Sequence, residues 1–372
     1  MHLNTDLHIH SSFSMATSRA MTPQNILNAC KLKGIDVVGT GDALHPIWRD
    51  QWKPYLENEY GITVVPQTEV EDNSRVHHLI FAETFDQFSE LQDLLAPFCG
   101  HISTLGRPHI KLTGGDISEY VHDVGGIIGP AHVFTPWTSL FASYQSPSEC
   151  YGDNIFEFCE LGLSADSSYG SSIAEFEDIP FLSNSDAHSP SPLKIGREFT
   201  RVNITSNTSK SVIESISTSN IILNVGFFPE EGKYNRTACT RCYTQYSLQE
   251  SEKYQWKCPI DNGLIKIGVR ERADQLSTLS KPTNRPLYIK IIPLGEIIAR
   301  SINVSSPDTK KCQKIYNEFI NMFGNEISIL IDVPESELRS VSPDIARSII
   351  KMREGTITLY PGGGGKYGSF SI

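Results

Sequence analysis

From Leu3 to about Asn224, short β-branched apolar runs alternate with longer amphipathic stretches. The runs are Leu7 to Ile9, Ile35 to Thr40, Ile62 to Pro66, Leu79 to Ala82, Ile127 to Gly129, Ile155 to Phe158, Pro180 to Leu182 and Ile221 to Val225. Their shortness and β-branching predict strands. Helix punctuation lies between several of them: Pro23 to Lys33 follows Thr22 as a cap and stops at Gly34, and Asp86 to Ala96 repeats the pattern. Strands separated by helices predict an α/β fold with a parallel sheet, and this many units favour a closed barrel over an open sheet. There is no internal repeat.

Near Gly226 the pattern changes. Phe227 to Tyr234 reads as a connection, 235–268 carries closely spaced cysteines, and the rest reads as helical in pieces, at Leu294 to Ser301, Lys310 to Phe323 and Pro343 to Glu354. The predicted organisation is a barrel over 1–226, a cysteine module over 227–268 and a helical C-terminal region over 269–372. The glycine-rich tail from Pro361 to Gly368 suits either close approach to a nucleic-acid backbone or a flexible end.

Composition excludes a disordered, fibrous or membrane class: of 372 residues, 39% are hydrophobic and 20% charged. No apolar run approaches the roughly 18 to 20 residues needed to cross a bilayer. The opening Met1-His2-Leu3-Asn4-Thr5-Asp6 lacks signal-peptide character, so a cytoplasmic protein is expected. The net charge of −11 is unevenly spread: residues 1–200 carry 10 Lys/Arg against 26 Asp/Glu, and residues 231–300 carry 12 against 7. An acidic first half suits cations and a basic later segment suits phosphates, with a plain solvated surface as the alternative. Cys30, Cys99, Cys150, Cys159 and Cys312 stand alone in apolar or helical surroundings and read as small buried residues of a reducing compartment.

His8 and His10, two apart at a strand end, leave the same face. Asp42 follows Val37 to Thr40, Glu69 follows Val64 to Pro66, His132 follows Ile127 to Gly129, and Asp186 with His188 follows Phe181-Leu182. Each lies just past a predicted strand, on the rim where (β/α) barrels build their active sites. Imidazoles mixed with carboxylates suit Zn²⁺, Mn²⁺ or Fe. The candidates are too many for one tetrahedral ion, so two or three ions bridged by a carboxylate are expected. Such a cluster activates water and offsets charge at a phosphoryl centre, which predicts phosphoester hydrolysis.

Longer strings carry a family resemblance. Asp6-Leu7-His8-Ile9-His10-Ser11, Gly39-Thr40-Gly41-Asp42, Glu69 and Ser185-Asp186-Ala187-His188 resemble the motifs of the PHP (polymerase and histidinol phosphatase) superfamily. Arg75 to Ile80, Gly106-Arg107-Pro108-His109, Gly129 to Thr138, Glu160 to Ser167, and Leu182 to Pro190 with Gly196-Arg197-Glu198-Phe199 resemble its endonuclease Q branch. The resemblance covers residues 1 to about 200 and extends to the later architecture. It implies a distorted (β/α)7 PHP barrel, followed by a small zinc-ribbon-like module and a helical C-terminal region.

The resemblance further implies one ion on His8, His10, Glu69 and Asp186, a second on Asp42 and His188, and a third on Glu69, His78 and His132, with His78 taken over its neighbour His77. Asp42 stands where many PHP proteins have histidine. Asp186, His188 and Glu69 would form the catalytic centre, with Zn²⁺, Mn²⁺ or Mg²⁺ as the ions. Arg107 and His109 are read as binding substrate phosphate, with a further ligand or a structural turn as alternatives. Glu160 either touches the ions or accepts from a ligand histidine. Phe134 and Trp137 either wall an unstacked base or pack in the core.

Cys239-x-x-Cys242 and Cys258-Pro259-Ile260-Asp261 outline a zinc ribbon whose fourth cysteine is replaced by aspartate. A structural zinc on Cys239, Cys242, Cys258 and Asp261 is expected, with a metal-free remnant or a water ligand as alternatives. Lys233, Arg236, Arg241, Lys253, Lys257, Lys266, Arg270 and Arg272 interleave with Tyr234, Tyr243, Tyr246, Tyr254 and Trp256. This mixture suits a phosphate-tracking, base-stacking surface, or else a small module that packs on the barrel.

The resemblance thus implies a DNA repair endonuclease. It would hydrolyse the phosphodiester 5′ to a deaminated base (uracil, hypoxanthine or xanthine) or an abasic site in double-stranded or single-stranded DNA. A replication clamp is a further candidate partner, although no terminal clamp-binding peptide is visible. The competing readings are a small-molecule phosphatase of the histidinol-phosphate type, which would not need the basic aromatic module, and a non-catalytic DNA-binding scaffold, which would not need the ligand set.

Overall fold

The computed structural model describes residues 1–372. β1 (His2–Asp6) pairs in parallel with β2 (Val37–Gly39), and β2 with β3 (Thr63–Val65). Pro66 has no N–H to give to a ladder, so the pairing changes there and the chain continues as β4 (Gln67–Glu71). β4 pairs antiparallel with β5 (His77–Phe81), and β5 antiparallel with β6 (Ile127–Pro130). Backbone bonds from Glu157 to Ile128 and from Val133 to Glu160 lead on to β7 (Cys159–Glu160), parallel to β8 (Phe181–Leu182). A bridge between Ile9 and Ala187, where His10 N donates to Ala187 O at 3.0 Å, returns the ring to the end of β1. With β3 and β4 as one interrupted stave, the ring has the seven staves expected.

The distortion has a local cause. Asp72 Oδ1 accepts from both Ser74 N and Val76 N at 2.8 Å, folding the chain back on itself between β4 and β5. The hairpin makes β5 antiparallel within an otherwise mostly parallel ring. Its register pairs Glu71 with His77 and Val70 with His78, so His77 shares the face of Glu69 and Glu71 while His78 faces away.

The barrel interior is filled by Leu7, Val37, Val65, Leu79, Phe81, Phe158 and Leu182, with Phe81 and Phe158 stacked at 4.8 Å. Gly129 is required there, because a Cβ would lie 2.2 Å from the Phe158 carbonyl oxygen. β9 (Phe199–Asn203) joins antiparallel to β1, β10 (Ile221–Gly226) antiparallel to β9, and later β13 (Leu287–Lys290) in parallel to β10. β13 lies inside the stretch read as helical in pieces, in a part where no helix is expected. Its alternating Leu287 and Ile289 are too short a run to stand out from sequence.

Between β10 and β13 the small module is built on β11 (Ala238–Cys239) and β12 (Ile265–Lys266), antiparallel, with the helix Leu248–Lys253 set by a Ser247/Glu250 capping box. The helices Leu294–Ser301, Lys310–Phe323 and Pro343–Arg353 follow, and their apolar faces join one cluster with the helices outside the barrel. The buried pair Lys33 Nζ to Glu326 Oε1 (2.7 Å) locks this region to the helix Pro23–Lys33, and Glu326 also accepts from Tyr316 Oη and Leu294 N.

The glycine-rich tail is neither loose nor turned outward. It links β14 (Thr358–Tyr360) to β15 (Ser369–Ser371) as a strap against the module, with Arg236 N donating to Gly362 O and Gly365 N to Lys233 O. At Gly364 (φ 65°) a Cβ would sit 2.2 Å from the Cys239 carbonyl oxygen, so this contact needs glycine. No helix is long and apolar enough to cross a membrane.

Candidate metal centre and its pocket

The strand ends deliver a cluster of imidazoles and carboxylates to one place. His8 Nε2 lies 3.7 Å from Glu69 Oε1 and 3.6 Å from Asp186 Oδ1, and His10 Nε2 lies 3.5 Å from Glu69 Oε2 and 3.1 Å from Asp186 Oδ1. His77 Nδ1 and His132 Nε2 approach Glu69 Oε1 at 2.8 and 3.1 Å, and His188 Nδ1 lies 3.6 Å from Asp186 Oδ1. Glu69 therefore touches four imidazoles and sits at the centre, with Asp186 beside it, a third exposed to the cavity.

Tension in the backbone accompanies the cluster. Asp42, His132 and Asp186 have φ of 47°, 32° and 48°, a region non-glycine residues avoid at a cost of about 1–3 kcal/mol each. At Asp186 the supports are visible: Asp6 accepts from Ser185 N (3.0 Å) and Gly196 N (2.7 Å), binding both flanks of the loop to β1. Gly162 (φ 80°) completes the floor, since a Cβ would lie 2.7 Å from that of His132.

Carboxylates outside the cluster set the ring orientations. Glu160 takes His8 Nδ1 at 3.0 Å on both its oxygens and also accepts from His132 N and Asn184 Nδ2, while Asn184 Oδ1 accepts from Leu7 N. Of the two readings of Glu160, the geometry selects the acceptor behind a histidine. Burial works against charge on His8, yet Glu160, Asp186 and Glu69 outweigh it and push the ring up to about 9. Burial likewise opposes His10, which Asp186, Asp42 and Glu69 push up to about 10. Burial would raise Glu69 and Asp186, but the surrounding imidazoles hold both well below the usual carboxylate range.

The donor set fits divalent ions. Nε2 of His8, Nε2 of His10 and Nδ1 of His77 are buried and make no well-directed hydrogen bond; those of His8 and His10 face both Glu69 and Asp186, and that of His77 faces Glu69. Orphaned imidazole nitrogens facing carboxylate oxygens, each ring held from behind, form the arrangement a cation site requires.

Three expected assignments are corrected. His78 is not in the cluster: it lies on the opposite face of β5, its Nδ1 2.7 Å from Tyr151 Oη and its Nε2 3.2 Å from Asp72. His77 takes its place. Asp42 does not face the cluster either, because its Oδ1 lies 3.3 Å from His10 Nδ1 and its Oδ2 is taken up by Ser11 and Ser14. It steers His10 from behind. Phe134 is 2% exposed and stacks on Phe141 in a core, so it walls no ligand.

Above the cluster opens a cavity of about 650 Å³, lined by Arg107, His109, His132, Trp137, Asp186 and His188 among others. Arg107 Nη1 bonds Glu69 Oε2 at 3.0 Å and His109 Nδ1 bonds Glu71 at 3.2 Å, so both expected phosphate binders are already engaged with acids. Trp137 is 43% exposed at the lip, with Lys266 Nζ of the module 4.2 Å over its ring. Lys233, Tyr234, Tyr367 and Arg197 close the far side. Arg197 lines the cavity from the string Gly196-Arg197-Glu198-Phe199.

In the module, Cys239, Cys242, Cys258 and Asp261 come together. Cys242 Sγ lies 3.6 Å from Cys258 Sγ and Cys239 Sγ 3.3 Å from Asp261 Oδ1. A tetrahedron with Zn–S bonds of about 2.3 Å has edges of about 3.8 Å, so these separations are near those of a zinc site.

Over its whole length the chain is similar to the lesion-specific endonuclease PfuEndoQ from Pyrococcus furiosus: 41% identity, TM-score 0.95, covering 100% of this chain and 96% of that one. The chain belongs to the endonuclease Q family. A second endonuclease Q structure, in complex with a 27-mer duplex substrate with an abasic lesion at the active site, is similar at TM-score 0.96 and 41% identity, covering 100% of this chain and 97% of that one. The uncharacterized protein MJ0043 of Methanocaldococcus jannaschii is 42% identical over 69% of this chain, which spans only 33% of that relative's length. The uncharacterized protein YqxK of Bacillus subtilis is 29% identical over 98% of this chain and 97% of its own. Residues 293–356 match the family described as the MJ0043 C-terminal domain. Membership in the endonuclease Q family agrees with the mixed α/β barrel and with a metal-dependent phosphodiesterase chemistry.

Proposed function

We propose that this protein is a metal-dependent DNA repair endonuclease that hydrolyses the phosphodiester 5′ to a deaminated base or an abasic site. The observation that carries the reading is the convergence of the His8, His10 and His77 nitrogens on Glu69, with Asp186 beside His8 and His10, at the floor of a cavity with a basic, aromatic lip. The likeness to an endonuclease Q bound to abasic DNA supports the substrate class.

His8, His10, Glu69, His77, His132, Asp186 and His188 would hold two or three divalent ions. Such ions, when bound, make water nucleophilic near neutral pH and offset charge on phosphoryl oxygens. The protein's own part is geometric. Glu160 and Asp42 fix the tautomers of His8 and His10, and Asp6 holds the Asp186 loop against β1. A cavity of about 650 Å³ falls within the roughly 300–1,000 Å³ of sites that enclose a small ligand, which suits an extruded nucleotide between Trp137 and Tyr234. Extrusion is cheapest where the base is mispaired or missing, which ties lesion preference to the cost of unstacking. In this reading the barrel over 1–226 holds the chemistry, while the module over 227–268, with a structural zinc, and the region over 269–372 grip the flanking duplex.

The test is cleavage of end-labelled duplexes carrying one uracil, hypoxanthine or abasic site, against undamaged duplex, with Mg²⁺, Mn²⁺ or Zn²⁺. A single incision 5′ to the lesion that disappears in Asp186→Ala is expected. Turnover of a phosphomonoester with no DNA incision would move the reading to the phosphatase branch.

A further inference from the structure

Two concavities meet at one ridge. The cavity over the cluster and a neighbouring one of about 480 Å³ share Asp186, His188, Arg197 and Tyr367. The larger has the flat rings of Trp137 and Tyr234 for an unstacked base. The smaller adds Ala16, Thr17, Ser18, Ser189 and Lys194, which offer hydroxyls, main chain and one ammonium, a lining suited to sugar and phosphate. A strand with one nucleotide in the larger cavity has to cross the ridge to continue, and a phosphate lies at the crossing.

Arg197 is the cation on that ridge. It is 7% exposed, its Nε donates to the Ser185 carbonyl at 2.9 Å, and neither Nη meets a protein acceptor. The Phe227 ring lies 5.8 Å from its guanidinium carbon and braces the fork. Arg107, by contrast, is committed to Glu69 at 3.0 Å. Burial pushes the neighbouring Glu198 up to about 8, which leaves it largely uncharged at neutral pH, and it also raises Glu296, while the ionised carboxylate on the ridge, Asp186, is engaged with His8 and His10. A guanidinium pinned through Nε with both Nη groups free is arranged for bidentate capture of a phosphate.

We propose that Arg197 grips the phosphate joining the lesion nucleotide to its 5′ neighbour and so seats the strand across the ridge between the two cavities. The proposal rests on the reading that the lesion nucleotide occupies the larger cavity. Because Arg197 is pinned to Ser185, next to Asp186, the position of that phosphate is tied to the metal cluster.

The test measures binding with no divalent ion and no chelator added, so that the module keeps its zinc. The full chain is titrated with abasic duplexes in which one phosphate at a time, across the lesion and its neighbours, is replaced by a neutral methylphosphonate. Neutralising the phosphate 5′ to the lesion is expected to weaken wild-type binding about tenfold, and binding by Arg197→Ala by under about twofold. The salt dependence of Arg197→Ala binding should fall by about one phosphate contact. Arg197→Lys, which keeps a charge without the fork, should show a loss of about threefold and serves if the alanine variant does not fold. Identical methylphosphonate profiles for wild type and variant would overturn the role of Arg197. A wild type that does not prefer abasic over intact duplex would instead overturn the reading of the larger cavity, and the Arg197 proposal with it.

Discussion

His77 and His78 are neighbours in β5, yet His77 Nδ1 lies 2.8 Å from Glu69 while His78 Nδ1 lies 2.7 Å from the Tyr151 hydroxyl on the other side of the strand. The alternation of a β-strand sends one ring to the metal centre and the other into a closed polar network with Asp72. His77→Ala should lower bound metal and reduce cleavage by about 10²-fold or more with little change in melting temperature. His78→Ala should do the reverse, costing about 1–3 kcal/mol through the stranded Asp72 and Tyr151 groups. Metal analysis beside denaturant melts separates the two, and equal metal loss in both would contradict the assignment.

Metal loading should release protons. His8 and His10 are pushed up to about 9 and 10 from an ordinary 6.5, so in the metal-free protein both rings are charged at neutral pH. Raised folded-state values mean that this ion pairing stabilises the metal-free fold below pH 6.5 and is lost as pH climbs through 9 to 10. An ion binds only the neutral rings, so calorimetry at pH 7 in buffers of different ionisation enthalpy should report about two protons released, and metal affinity should rise with pH. A buffer-independent heat would refute it.

Lys33 and Glu326 are both fully buried and join the barrel to the C-terminal region. Removing one partner strands the other charge, so Lys33→Ala should cost about 3–5 kcal/mol. Replacing both by apolar residues of similar size, Lys33→Met with Glu326→Leu, should recover most of that loss in urea melts. A double variant as unstable as the single one would show that the pair does more than balance charge.

The aspartate in the cysteine cluster should make its zinc easier to remove. Asp261→Cys is expected to slow zinc loss to a chelator by about tenfold or more, read by a zinc-responsive dye rather than by activity. Unchanged release would mean that Asp261 is not a ligand.

His8, His10, Glu69, His132, Asp186 and His188 stand at strand ends, where periodicity in the chain marks them, and the fold brings all six to one rim. The helices Pro23–Lys33, Leu294–Ser301 and Lys310–Phe323 were equally legible, since caps and a 3.6-residue period are local. Misreadings fell where a face had to be chosen. Nothing in the string fixes the register of β5, which the Asp72 turn decides, so which of His77 and His78 faces the rim is not legible there. Asp42 follows a strand as a ligand would, but its direction comes from a left-handed φ of 47° and from Ser11 and Ser14, residues it meets only when folded.

What the sequence determined by itself was the inventory: an alternating strand and helix order, a rim of nitrogen and oxygen donors, and a basic, cysteine-bearing module. These are written in local spacing and residue type, which survive without knowledge of partners. The tertiary structure alone decided which donors face inward, that Arg107 is committed to Glu69 while Arg197 keeps its fork free, and that the glycine tail is a strap against the module. Each of these depends on contacts between residues far apart in the chain, such as Asp6 with Gly196 and Lys233 with Gly365. Such contacts arise only when burial forces distant polar groups to find one another.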